Sequence, residues 1–313
     1  NKPHYLFFNF LAVHDPYIPL KETFSLFNIN FEDFKIIKSM IINPLKTRLK
    51  INIKSKILSN KQVKTIEKLY NACVFSSDII VKKLFSILNK NELLNKSYVI
   101  ITSDHGEHLG NKFDHKFWEH NTYQSVYQPL MRVPLIIYNK NSKSKLIKKQ
   151  VQLKDLFHTI LHLTGAKNNE NKYLDFNNSI LYQIEQETTP EYIFGEYLKS
   201  KDEMMELING HRKSINKNLI PKIFNHIYFL RSNRFKYIRY NNIKTDEFFD
   251  LSADPYEKNN LFEEKNDKCS IFKLKFENLL KEIKNIGNLK DIMTKKEKDS
   301  LKRSINNIKI HGI

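Results

Sequence analysis

Cysteine is scarce, with Cys73 and Cys269 as the whole complement. Two thiols so far apart in the chain make neither a disulfide framework nor a zinc-ligand spacing. Glycine and proline are also sparse, at 7 and 9 residues, which excludes collagen-like and low-complexity architectures. No apolar run approaches the roughly 18–20 residues needed to span a bilayer, no leader peptide is visible, and no internal repeat occurs. Negative charge is in deficit: 34 Asp+Glu face 52 Lys+Arg, for a formal net charge of +18. The lysines are scattered along a Lys-, Asn- and Ile-rich chain without an RRM, KH, zinc-finger or helix-turn-helix pattern, so specific nucleic-acid binding is not expected. A general pull on anionic substrates follows from the charge in any case.

What is present is a foldable chain. Its 313 residues are 41% hydrophobic and 12% aromatic, enough for one large α/β domain or two smaller ones. It opens on Asn1 and runs almost at once into an apolar stretch, which reads as a fragment whose upstream part is absent. The missing leader therefore leaves the compartment undetermined.

Tyr5 to Val13 is nearly continuous apolar and reads as a central strand buried on both faces. His14-Asp15-Pro16-Tyr17-Ile18-Pro19 ends it, and the prolines stiffen the loop. His14 taken alone fits a turn histidine equally well. Residues 21–60 read as an excursion from the core sheet, with a helix over Phe31 to Ile42. Gln62 to Asn89 has the clearest helical period, through Leu69, Cys73, Ile80, Leu84 and Ile87. Cys73 lies on its apolar face, as a packed thiol.

Ser97 to Ile101 is a second buried strand. Thr102-Ser103-Asp104-His105-Gly106-Glu107-His108 follows, placing a carboxylate and an imidazole at a strand's carboxyl end, where open α/β sheets bind ligands. Such an O/N pair suits a divalent metal, and Gly106 is expected to let the chain turn sharply. Asn111 to Gln128 is rich in His, Lys and aromatics. Arg132 to Tyr138 gives another strand, and Gln152 to Leu163 an amphipathic helix closed by Gly165. His158 and His162 share a metal-capable spacing on that helix but read as helix surface, because no Glu lies between them in the metalloprotease pattern. Tyr192 to Tyr197, Ile227 to Arg231, Phe235 to Tyr240 and Glu247 to Leu251 read as short strands, the last three forming an antiparallel meander. Ser252 to Leu261 reads as a capped loop, Cys269 to Ile286 as an amphipathic helix, and Thr294 to Ile310 as a Lys-rich helical tail.

The order of these motifs resembles the sulfatase family of the alkaline phosphatase superfamily. The likeness is carried by the apolar strand ending in His14-Asp15-Pro16-Tyr17, by Tyr98-Val-Ile-Ile-Thr-Ser-Asp104-His105-Gly106-Glu107, and by Arg132-Val133-Pro134-Leu135-Ile136-Ile137. Asp155-Leu156 to Gly165, Arg234 to Arg239, Phe249-Asp250-Leu251, Asp254-Pro255 and Asn259-Asn260-Leu261 extend it over most of the chain. The resemblance implies an α/β fold with a mostly parallel sheet flanked by helices. Residues 1–185 would be the C-terminal portion of the catalytic α/β domain. Residues 186–313 would be a subdomain with a small antiparallel sheet and a basic helical tail.

It also implies a chemistry. Asp104 and His105 match two metal ligands, usually of Ca2+, with Mg2+ or Mn2+ as substitutes. His14 matches the histidine that contacts the sulfate and leaving-group side. A basic residue soon after the Asp-His motif touches the sulfate; His120 is the first choice, with Lys116 and His115 as alternates. Glu107 and Arg132 are expected as loop support and a strand-end ion pair. The substrate would be an anionic sulfate ester, for example a sulfated carbohydrate, and relatives are commonly exported or periplasmic. The family's Cys/Ser-x-Pro-Ser-Arg motif, whose Cys or Ser becomes formylglycine, is not in this sequence, nor is its N-terminal aspartate pair. As given, the chain is expected to be inactive alone. A phosphoesterase or phosphonate hydrolase of the same superfamily is the enzymatic alternative. A non-catalytic basic binder of anionic polymer or membrane is the alternative of another class.

Overall fold

A computed structural model describes residues 3–41, 44–52, 56–118, 120, 125–165, 175–197, 226–241, 246–262 and 267–288. Two compact units divide the chain, residues Asn1–Leu261 and Phe262–Ile313. The expected Lys-rich helical tail, Thr294 to Ile310, lies outside the described residues.

The first unit is built around helix α3 (Asn60–Lys90). Ser59 caps it with a capping box: its side chain accepts from the Gln62 amide while Gln62 accepts from the Ser59 amide. Its Ile66, Leu69, Ala72 and Cys73 are fully buried. Burial pushes the Cys73 thiol up to about 12, consistent with a packed, unreactive side chain. Ser76, on the same face, is buried; its hydroxyl donates to the Ala72 carbonyl and accepts from the Leu20 amide. Helices α1 (Phe31–Ile41) and α2 (Pro44–Asn52) precede it. Ile37, Met40, Ile51 and Leu58 join α3 in one hydrophobic cluster with Tyr17 and Trp118. The segment expected as an excursion is thus part of the core.

Strand β1 (Val99–Thr102) pairs antiparallel with β2 (Leu135–Tyr138), between which lies the short α4 (Gln128–Met131). Helices α5 (Asp155–Leu163) and α6 (Ile180–Glu185) follow. His158 and His162 are half-buried, not open helix surface. The His158 Nδ1 accepts from the Asp175 amide and the His162 Nδ1 meets the Ser179 hydroxyl.

A four-stranded sheet comes next, β3 (Ile193–Tyr197), β4 (Ile227–Arg231), β5 (Phe235–Tyr240) and β6 (Glu247–Asp250), in sequential antiparallel order. Its inward Ile227, Phe229, Ile238 and Phe249 pack with Phe117, Val126 and Tyr127. The expected meander is present and gains β3. In the second unit, α7 (Asp267–Asn288) buries Cys269, Phe272 and Phe276.

Two expectations change. All ladders among the described residues are antiparallel, so the mostly parallel sheet is not seen in them. Tyr5 to Val13 forms no strand and is not buried: Leu6 is 72% and Phe7 75% exposed. The reason is pairing. A strand needs a neighbour for its backbone groups, and this segment has no ladder partner among the described residues.

Candidate active site

The loop after β1 is held by close backbone approach. The Gly106 amide donates to the Leu130 carbonyl at 2.7 Å and the Glu107 amide to Pro129 at 3.1 Å. A Cβ on Gly106 would lie 2.0 Å from the Pro129 oxygen. Glycine is needed here for contact with another backbone, not for the sharp turn expected from sequence. The Ser103 hydroxyl donates to the His105 carbonyl at 2.6 Å and stiffens the same loop.

Residues 125–130, which Gly106 and Glu107 grip, are anchored from the other side by the C-terminal sheet. Lys236 of β5 and Glu257 form an ion pair of 2.6 Å with both side chains fully buried. Lys236 also donates to the Val126 carbonyl, and Glu257 accepts from the Gln128 amide. The Tyr127 hydroxyl donates to Glu247 at 2.7 Å. Burial pulls the Lys236 ammonium down and the Glu257 carboxylate opposes it. The antiparallel sheet thereby positions the Asp104–His105 loop through two layers of hydrogen bonds.

Three histidines meet at this loop. The His105 ring stacks on His120 with centroids 4.3 Å apart, and His14 meets His120 edge-on at 4.8 Å. Glu107 supports His120: its Oε2 lies 3.2 Å from the His120 Nδ1. That hydrogen bond holds the imidazole above its ordinary pKa, against the opposing effect of burial. The His14 Nδ1 contacts the Asp15 carbonyl at 2.6 Å. Asp15 is ion-paired with Arg48 of α2. Asn52, also on α2, exchanges two hydrogen bonds with the Trp118 backbone, at 3.0 and 3.2 Å, two residues before His120.

Asp104 is highly exposed. Its Oδ1 accepts from the His105 amide and lies 3.7 Å from the His105 Nε2. The two side chains fit as a pair of ligands on one side of a cation. A hard ion such as Ca2+ takes six to eight oxygens, so they supply only part of its coordination, and among the described residues no third carboxylate or imidazole completes a metal-binding group with them.

The expected residues therefore divide. His14, Asp104, His105 and His120 lie at one place. His115 turns elsewhere: it stacks on Tyr127 with centroids 3.8 Å apart, and its Nε2 contacts the Tyr256 carbonyl. Lys116 is exposed with a positive φ of 61°. Arg132 is exposed, and Glu107 bonds His120. Asp15, Arg48 and Asn52 are added by the structure. Asp15 sits in plain view beside His14, but α2 carries no strong apolar period that would flag the other two.

The family model described as Sulfatase matches residues 1–166. The chain belongs to the sulfatase family. Arylsulfatase K from Bos taurus is 28% identical over 214 residues, covering 65% of this chain and 34% of the relative. This sulfatase-family chain thus spans about a third of the length of that relative. A solved structure in complex with its substrate D-glucosamine-2-N,6-O-disulfate aligns with a TM-score of 0.54 at 18% identity, over 86% of this chain and 53% of the other. The phosphonate monoester hydrolase of Agrobacterium radiobacter aligns with a TM-score of 0.54 at 18% identity, over 71% and 42%. These likenesses support an alkaline phosphatase-like fold for the sulfatase chain.

Proposed function

We propose that this chain supplies the cation- and leaving-group-binding side of a sulfuric ester hydrolase site. The observation that carries the reading is the convergence of His14, His105 and His120 beside Asp104, with Glu107 holding His120. A sulfate ester carries charge on oxygens that must be held as its S–O bond breaks, and preorganised cations are the effective means. His120, favoured in its charged form by Glu107, suits a sulfate oxygen. His14, with its side chain 44% exposed, suits the leaving oxygen, to which an imidazole can give a proton. Asp104 and His105 would hold part of a divalent cation, Ca2+ in the first instance, which polarises the same oxygens when bound. The nucleophile, expected as formylglycine, has no counterpart in this sequence, so turnover is assigned to the whole protein.

The disulfated glucosamine bound by one structural neighbour supports substrates of sulfated-carbohydrate type. The phosphonate monoester hydrolase neighbour supports a second reading, a phosphonate or phosphate ester. Turnover of paired aryl sulfate and aryl phosphonate substrates by the full-length protein decides between them. Asp104→Ala should abolish metal-dependent cleavage of the aryl sulfate. Undiminished activity would remove Asp104 from the ligand set.

A further inference from the structure

We propose that His14, Asp15 and His120 form a binding site for a first-row transition ion such as Zn2+, with ligands that do not include Asp104 or His105. One ligand atom from each of the three residues lies within 4.8 Å of the others. Small side-chain rotations bring such a set onto Zn–ligand bonds of about 2.0–2.1 Å.

Both histidines carry an Nδ1 contact to oxygen of the kind metal-ligating histidines use. Each engages an oxygen through Nδ1, His14 the Asp15 carbonyl and His120 the Glu107 carboxylate. An Nδ1–H···O contact fixes the tautomer and leaves the Nε2 lone pair for a metal, and carboxylate–histidine–metal triads use this pattern. Asp15 supplies a second, independent sign. Its side chain is only 9% exposed; its buried Oδ1 accepts no hydrogen bond and lies 3.4 Å from the His14 Nδ1, while Oδ2 pairs with Arg48. A buried carboxylate oxygen without a donor carries a desolvation cost that a cation would remove.

Two imidazoles and one carboxylate select zinc or iron over calcium, which prefers oxygen throughout. The inference goes beyond the sulfate-ester reading and does not depend on it. If both hold, ion and ester compete, because the metal takes the lone pairs that His14 and His120 would otherwise protonate and present to the ester.

The test is titration of the 313-residue chain with Co2+, read by its visible absorption, followed by displacement with Zn2+. One equivalent should bind. His14→Ala and Glu107→Gln should each weaken binding, by about 10-fold or more for loss of a partner of this kind. Asp104→Ala and the pair His158→Ala with His162→Ala should leave it unchanged. The proposal is overturned if His14→Ala and Glu107→Gln both bind Co2+ like the parent, or if Asp104→Ala or the His158/His162 pair abolishes binding.

Discussion

Gly106 shows how one residue fixes the candidate site. The Pro129 oxygen would sit 2.0 Å from an added Cβ, and that oxygen is part of a backbone which Gly106 and Glu107 already grip. Gly106→Ala should therefore push the two segments apart and cost about 1–3 kcal/mol, the range for overpacking a tight contact. Denaturant unfolding of the variant measures this, and parent-like stability would refute the close-approach account. Sequence made the glycine conspicuous but assigned it the wrong task, since a turn and a close approach use the same residue type. Asp104, His105 and His14 are conspicuous because each sits in a recognisable motif, whereas His120 is picked out only by its distance to the Arg132-Val133-Pro134 strand. The Asp15–Arg48 pair was not legible: it joins residues 33 positions apart, and nothing in the local pattern around Arg48 announces it. His115 and Lys116 illustrate the converse, since nearness in sequence to His120 did not bring His115 to the same place.

At the scale of elements, apolar periodicity made α3 and strands β4 to β6 legible, because each has one face to bury and neighbours that leave a regular pattern. Helix α2 was illegible for the opposite reason. It is short, and it contributes through Arg48 and Asn52, polar groups whose partners lie elsewhere in the chain. The Lys236–Glu257 pair is a buried link between β5 and the segment after β6. Both side chains are fully buried, so removing one partner leaves the other charged and unpaired away from water. Lys236→Met should cost about 3–5 kcal/mol and loosen residues 125–130, which Lys236 and Glu257 jointly hold. Adding Glu257→Gln removes the stranded charge while keeping an acceptor for the Gln128 amide, and should recover much of the loss. Thermal or urea unfolding of the single and double variants tests this. A double variant no more stable than Lys236→Met would show that the cost lies in packing.

At the scale of the whole molecule, hydrophobicity in a sequence reports that a segment favours burial, not what buries it. Tyr5 to Val13 reads as a core strand for that reason, yet Leu6, Phe7 and Leu11 are 72%, 75% and 70% exposed. Tyr5 and Phe8 continue the patch, at 64% and 55%. Contiguous exposed apolar surface drives association in water, and a chain segment without a ladder partner also offers its backbone groups for pairing. The formal charge of +18 opposes self-association at long range, but salt screens it beyond about 8 Å at physiological ionic strength. The isolated 313-residue chain should therefore associate in a concentration-dependent way that rises with added salt. Replacing Leu6 with Lys and Phe7 with Ser should reduce the effect without touching the His14–His120 contact. Light scattering across a concentration and salt series provides the measurement. A parent chain that stays monomeric at high salt, or a variant that associates equally, would show that the apolar run is satisfied within the chain itself.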